Sequence, residues 1–193
     1  MNIAELTELV GDKPAPTPLL ALQAFVNTLD VESGTDLLGS RAEFRDWLRD
    51  TELEAGRVAV GAEELRRARA LRDTFRGLLA ASAHGEVDRG AARRLRSEAR
   101  ARRIPLAVGP DGRLELDLSP PHSVDELLSL LIGIAFQAQL DGRWERLKLC
   151  RNDECQWAFF DSSRNRGGTW CEMKVCGNRI KNRRYRRRHQ AHS

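Results

Sequence analysis

The sequence predicts a mainly α protein in two parts. Residues 1–142 read as an N-terminal helical domain with one small β-hairpin, and residues 143–193 as a four-cysteine module ending in a basic helix. Three observations carry this. Apolar residues recur at helical spacing through most of the first part, all four cysteines fall in the second, and the charge divides between them. From Arg143 onward there are 14 Lys/Arg and 5 Asp/Glu, a net of +9, whereas the preceding residues hold 18 basic and 23 acidic side chains, a net of −5. Such asymmetry points to parts with different partners. Hydrophobic residues make up 41% of the 193 and charged residues 31%, so the chain is able to bury a core and is not disordered by composition.

The elements follow in order. Thr17-Pro18 reads as a helix start, a cap followed by proline at the first helical position. Leu22, Phe25, Val26 and Leu29 recur behind it, and Ser33-Gly34 ends the segment. Asn27 interrupts that apolar run. It is either an amide placed in a ligand pocket or a capping, solvent-facing amide near the helix end. Ser40 and Glu43 form a capping box that opens a short helix through Trp47 and Leu48. Leu65, Ala68, Leu71, Phe75, Leu78 and Leu79 mark a longer amphipathic helix with arginines on its other faces. Another helix runs from Asp88 to about Arg103. Residues 104–108 and 113–118 flank the turn Gly109-Pro110-Asp111-Gly112 as a hairpin. Within it Leu114, Leu116 and Leu118 alternate with acids, the period of a half-buried strand. Ser119-Pro120-Pro121 breaks it, and a second capping box, Ser123 with Glu126, opens a buried helix through Leu140. The core expected from this pattern draws on Phe25, Leu29, Leu71, Phe75, Leu78, Leu127, Leu131 and Ile132.

Several function classes lack their signatures. Residues 1–16 contain Glu5, Glu8 and Asp12 and no apolar run after a basic start, so no secretory signal is expected. The most apolar stretch, residues 124–140, is interrupted by Asp125, Glu126, Ser129, Gln137 and Gln139, which excludes a membrane span. The expected location is cytoplasmic, where thiols stay reduced and metal ligation is favoured over disulfides. His84 and His122 are isolated beside turn residues and read as surface histidines. No carboxylate pair, phosphate-binding glycine loop or nucleophile elbow stands out, so no catalytic residues are assigned and the chain is not expected to be an enzyme.

The cysteines carry the chemistry. Cys150 and Cys155 are separated by four residues, Cys171 and Cys176 by another four, and fifteen residues lie between the pairs. Two close pairs joined by a loop are what a tetrahedral site needs, each pair curling round one side of the ion. One structural Zn²⁺ per chain is expected, its four positions closed by protein ligands. Four thiolates and one dication sum to −2, and the arginines nearby would offset that charge. Trp157-Ala-Phe-Phe160 is expected to form a strand that builds a miniature core, with Asp161-Ser162-Ser163 and Gly167-Gly168 as turns. After Gly177-Asn178 a last helix should run from Arg179 to about His189, with seven cations in ten residues. Such a helix suits an anionic partner, and its narrow apolar face speaks against a membrane.

The residues from Cys150 through Cys155-Gln-Trp-Ala-Phe-Phe-Asp161-Ser-Ser-Arg164 to Trp170-Cys171 and Cys176-Gly177-Asn178-Arg179 resemble the CGNR zinc finger, a family named for the motif at 176–179. Its members usually carry an N-terminal helical ABATE domain. Residues 1–142 resemble that domain more loosely, in Phe25-Val-Asn27-Thr28, the Trp47-Leu48 helix end and the later Leu-rich helix. Gly167-Gly168-Thr169 departs from the family pattern, standing where many relatives have arginines. The resemblance implies a stress-related bacterial transcription regulator whose zinc module binds nucleic acid, DNA ahead of RNA, while the helical domain senses a small ligand or mediates assembly. The nucleic-acid contacts expected are Arg164, Arg166, Arg179, Lys181, Arg183, Arg184, Arg186 and Arg187. The alternatives are an RNA-binding or protein-interaction module and, behind them, an enzyme with a pocket in the helical domain. The sequence does not set the oligomeric state.

Overall fold

A computed structural model describes residues 1–54, 56 and 58–183. It is mainly α, with three two-stranded antiparallel ribbons between the helices. Helix α1 (Ile3–Val10) is capped by Asn2, whose Oδ1 accepts from Glu5 N. Helix α2 (Leu19–Val26) follows, and every one of its residues is buried. Pro18 sits at its cap position, one residue earlier than the expected first helical position. The helix also stops sooner than its apolar run suggested. Thr28 turns its N–H and hydroxyl back onto the Phe25 carbonyl, and Asp30 Oδ1 accepts from Glu32 and Ser33 N–H. These local bonds compete with helix continuation. They start a hairpin that the periodicity hid, β1 (Leu29–Asp30) paired with β2 (Thr35–Asp36), with Ser33-Gly34 in its turn.

Helix α3 (Arg41–Asp50) opens as its capping box requires, Ser40 Oγ accepting from Glu43 N at 3.2 Å. Helix α4 (Ala62–Ala83) is the longest. Its arginines do not all face outward. Arg72 and Arg76 are buried among α2, β1–β2 and the cysteine module, a correction to the amphipathic reading. Helix α5 (Arg89–Ala101) is capped by Asp88. The expected hairpin is present as β3 (Leu106–Val108) and β4 (Leu114–Leu116). Its alternation, however, marks one anchor and not a buried face. Leu106, Val108, Leu114 and Leu118 are exposed, and only Leu116 of the hairpin leucines is half-buried. Leu116 packs on Gly133 of α6 (Val124–Leu140), where a Cβ would stand 2.5 Å from its Cδ1. Ser123 caps α6 as the second capping box predicted.

The core sits between α2 and α6, closed by α1, α3 and α4. Phe25, Leu71, Phe75, Leu127, Leu131 and Ile132 lie in it and Leu78 is half-buried at its edge, while Leu29, expected in the core, is half-buried in β1 outside it because the chain leaves the helix before it. The same core continues past residue 142. Strand β5 (Leu147–Leu149) packs along α4 and pairs with β6 (Ala158–Phe160), and Leu147, Leu149 and Ala158 belong to the core of the helical part. Of the Trp157–Phe160 segment, Ala158 and Phe160 thus join the larger core, while Trp157 packs against the cysteine cluster. Helix α7 begins as a π turn at Met173–Gly177 and continues as α-helix over 178–183. It therefore starts before Cys176, one turn earlier than expected.

Candidate metal centre and basic surface

The turn after β5 carries the first two cysteines. Asn152 O accepts the N–H of both Cys155 and Gln156, which curls the chain so that Cys150 and Cys155 face one point. Cys171 precedes α7 and Cys176 lies in its π turn, completing a cluster whose four Sγ atoms are all within 4.8 Å of one another. Cys155 Sγ lies 3.6 Å and Cys176 Sγ 3.7 Å from Cys171 Sγ. Zn–S bonds near 2.3 Å in a tetrahedron place sulfurs about 3.8 Å apart, so the spacing suits a tetrahedral thiolate site. Three of the cysteines are buried and Cys171 is half-buried, with Trp157 and Trp170 packed against them.

The donor set calls for a cation. Crowding of the sulfurs pulls the pKa of Cys150 down, through the neighbouring Cys155 and Cys171 thiols, and pushes those of Cys155 and Cys171 up, through Cys150 first. One sulfur ionises easily and its neighbours then cannot. Four thiolates at this distance need a dication between them.

A second layer fixes the ligands. Asn152, fully buried, points its Nδ2 at Cys176 Sγ at 3.8 Å. Arg183 donates to Asn152 Oδ1 at 3.0 Å and to Glu154 Oε1 at 2.9 Å, tying α7 back onto the first cysteine turn. Asp161, expected only as a turn residue, is nearly fully buried and organises the loop between the cysteine pairs. Its carboxylate accepts from Lys148 Nζ and Gly168 N at 2.7 Å and from Ser163 N at 3.1 Å. Burial works to raise its pKa, but the Lys148 ammonium and these donors outweigh it and hold the carboxyl below the usual range. A Cβ at residue 168 would stand 2.7–2.9 Å from the carboxylate, so glycine is what lets the backbone approach so closely. This gives Gly168 a structural role that an arginine would not supply, whereas a side chain at Gly167 would meet open space.

Asn27 is used structurally. Its Nδ2 donates to Ala158 O at 2.9 Å and its Oδ1 accepts from Ala158 N at 2.8 Å, so the amide pairs with β6 as a neighbouring strand would. Asn27 does stand at the C-cap of α2, its N–H on Gln23 O, as a residue near the helix end was expected to, but at 5% exposure it does not face solvent. Asn27 also borders a cavity of about 180 Å³ between α2, β1–β2 and Trp157. Gln23 Nε2 reaches the same Ala158 carbonyl at 3.0 Å, Trp157 Nε1 donates to Val10 O, Phe160 N to Lys13 O, and Lys13 Nζ to Trp170 O. None of Gln23, Asn152, Arg76 or Lys148 was legible as a supporting residue. Only Gln23, a polar residue in an apolar helix, carried any signal.

The basic residues divide into two groups. Arg164 and Arg166 are exposed on the loop between the cysteine pairs, and Lys181 is exposed on α7. These three make no ion pair among the described residues. Arg179 is paired with Glu32 of the β1–β2 turn at 2.5 Å, and Arg183 holds the cysteine turn as above. Arg184, Arg186 and Arg187 lie outside the described residues.

A buried four-thiol cluster set against a helical core, with cations displayed around it, defines a metal-finger protein. The family comparison makes this specific. The model of the ABATE family, described as "Putative stress-induced transcription regulator", matches residues 20–139, and that of the CGNR zinc finger matches residues 146–189. The chain belongs to the ABATE family and carries a C-terminal CGNR zinc finger. No curated protein matches the chain. Among the described residues no helix is long and apolar enough to cross a membrane.

Proposed function

We propose that this zinc-finger regulatory protein is a bacterial transcription regulator that binds DNA through residues 143–193, holding one structural Zn²⁺ on Cys150, Cys155, Cys171 and Cys176. The observation that carries the reading is the exposure of Arg164, Arg166 and Lys181 around the cysteine cluster, with no ion pair among the described residues. Exposed, unneutralised cations supply phosphate contacts, which position a protein on nucleic acid without reading its sequence. Arg179 and Arg183 contribute differently. Arg183 braces the metal turn, so its loss would perturb the site as well as any phosphate contact.

In this reading residues 1–142 serve for assembly or ligand sensing. Assembly has a specific observation in its favour. Leu106, Val108 and Leu114 share the hairpin face that sets Leu116 on Gly133, and Phe136 and Leu140, three and seven residues after Gly133, are exposed beside it. Such an apolar surface suits a partner.

Two measurements test the function. Metal analysis of the reduced protein should return one zinc per chain, and loss of a ligand in Cys171→Ser should abolish it. Titration of the zinc-loaded protein against duplex DNA and RNA at two salt concentrations should show binding that weakens with salt, with a slope of roughly −0.9 per phosphate neutralised on duplex DNA. Arg164→Ala with Arg166→Ala should make that slope shallower by about 2 and leave zinc content unchanged. Preference for RNA would move the reading to the RNA-binding alternative. Absence of binding even at low salt would end it and favour a protein partner.

A further inference from the structure

The metal centre has a neighbour that the ligand set does not account for. Arg76, in the middle of α4, is 7% exposed. One turn earlier the equally buried Arg72 has a carboxylate, Asp36, against its guanidinium. Arg76 has none: among the described residues no Asp or Glu lies within ion-pair distance of it. Its guanidinium donates only to carbonyls, those of Val26 at 3.1 Å, Leu29 at 3.4 Å and Gln156 at 3.3 Å. The first two belong to the end of α2 and the start of β1. The third is the carbonyl of the residue that follows Cys155.

A buried guanidinium stays charged and is costly without an opposite charge. Besides Asp73 and Asp30, which make no ion pair with it, the opposite charge facing Arg76 is the cysteine cluster, which with a dication carries a net −2. Carbonyl oxygens satisfy the N–H groups of Arg76 but supply no net charge. The partial negative end of α2 contributes some of what is missing, Asp73 acts on Arg76 more strongly than the single Cys155 sulfur does, and the Arg72 cation opposes both. Reaching the Gln156 carbonyl places the cation behind the turn that presents Cys155.

Resting on the reading of a four-cysteine dication site, we propose that Arg76 is the counter-cation of the metal–thiolate centre. Metal occupancy of the finger and packing of the helical domain then form one coupled equilibrium. Arg76 is a positioning residue that acts through charge on a site it does not ligate. The bonds from Gln23, Asn27 and Lys13 also tie β6 and Trp170 to the helical part, and those from Gln23 and Asn27 do so without charge. By linkage, the charge of Arg76 strengthens metal binding by the same factor by which bound metal stabilises the packing around Arg76.

The test uses the full chain. Zinc affinity is measured by competition with a chromophoric chelator, and helix unfolding by circular dichroism with and without excess chelator. Arg76→Gln keeps hydrogen bonding to carbonyls and removes the charge, and should lose roughly ten- to hundredfold in zinc affinity, as outer-shell partners do. Arg76→Lys should recover most of it. Gln23→Ala, which removes a neutral clamp on β6, should lower the melting temperature yet hold zinc within about threefold of the parent, a far smaller change than loss of an outer-shell partner. Equal zinc affinity in Arg76→Gln and the parent, or an equal loss in Gln23→Ala, would overturn the proposal by reducing Arg76 to packing. Should Arg76→Gln fail to fold, the parent decides: stripping its metal must lower the helical transition, and an unmoved transition refutes the coupling. A parent that takes up no zinc would end the metal reading itself, a result distinct from zinc uptake indifferent to residue 76.

Discussion

Asn27→Ala removes the amide that pairs with β6, and its consequence follows from the bonds made there. Ala158 N–H is fully buried and donates to Asn27 Oδ1 at 2.8 Å. Without that acceptor it is left unsatisfied, which costs about 1–3 kcal/mol. The Ala158 carbonyl keeps Gln23 Nε2 as a partner, so the second bond contributes only about 0.5–1.5 kcal/mol. The expected loss is about 2–4 kcal/mol, a fall in melting temperature of about 5–15 °C for a chain of this size. Urea unfolding of the metal-loaded protein, followed by far-UV circular dichroism, should show a lower midpoint at unchanged slope. Asn27→Asp separates the two bonds. It retains an acceptor for Ala158 N–H but sets a buried charge against the Ala158 carbonyl, so at neutral pH it should be no more stable than the alanine variant. An Asn27→Ala midpoint equal to that of the parent would refute the reasoning, because the amide would then not be holding β6 to the core.

Leu131 is fully buried in α6, and Leu131→Ala should cost about 2–5 kcal/mol in the same assay. Asp161 gives an acid-side signature. Its pKa is depressed in the fold, so its contribution is fully present above the unfolded carboxyl value of about 3.9 and is lost as pH falls through the folded value. The stability difference between parent and Asp161→Asn should be constant near neutrality and shrink below about pH 4. The difference is the quantity to measure, since thiolate protonation makes both proteins acid-sensitive. A difference independent of pH would show that the carboxylate charge is not what holds the loop.

The finger ligands were legible because they obey a local rule. Equal spacings bring each cysteine pair to one side of an ion, and the four cysteines meet as that spacing predicts. The capping boxes at Ser40 and Ser123 and the Gly109–Gly112 hairpin were legible for the same reason, each lying within a few residues of chain. Helix α1 was open to the same reading, since Asn2 and Glu5 carry a cap signal. The end of α2 was hidden because an apolar run does not reveal whether Thr28 and Asp30 will turn their side chains onto the backbone.

By itself, then, the sequence determined the class of the protein, the four cysteines that meet in one cluster and the position of most helices, all set by motif, periodicity, caps and spacing along the chain. The tertiary structure decided what those parts do to one another. Only packing turned Arg72 and Arg76 inward from a helix rich in arginine, made Asn27 a partner of Ala158 131 residues away, and merged β5 and β6 into the helical core. It also drew Arg179 and Arg183 into contacts with Glu32, Glu154 and Asn152. The physical reason is desolvation. An arginine or an amide is equally soluble in every sequence context, and whether it is buried and with which partner depends on surfaces that meet only when distant segments fold together.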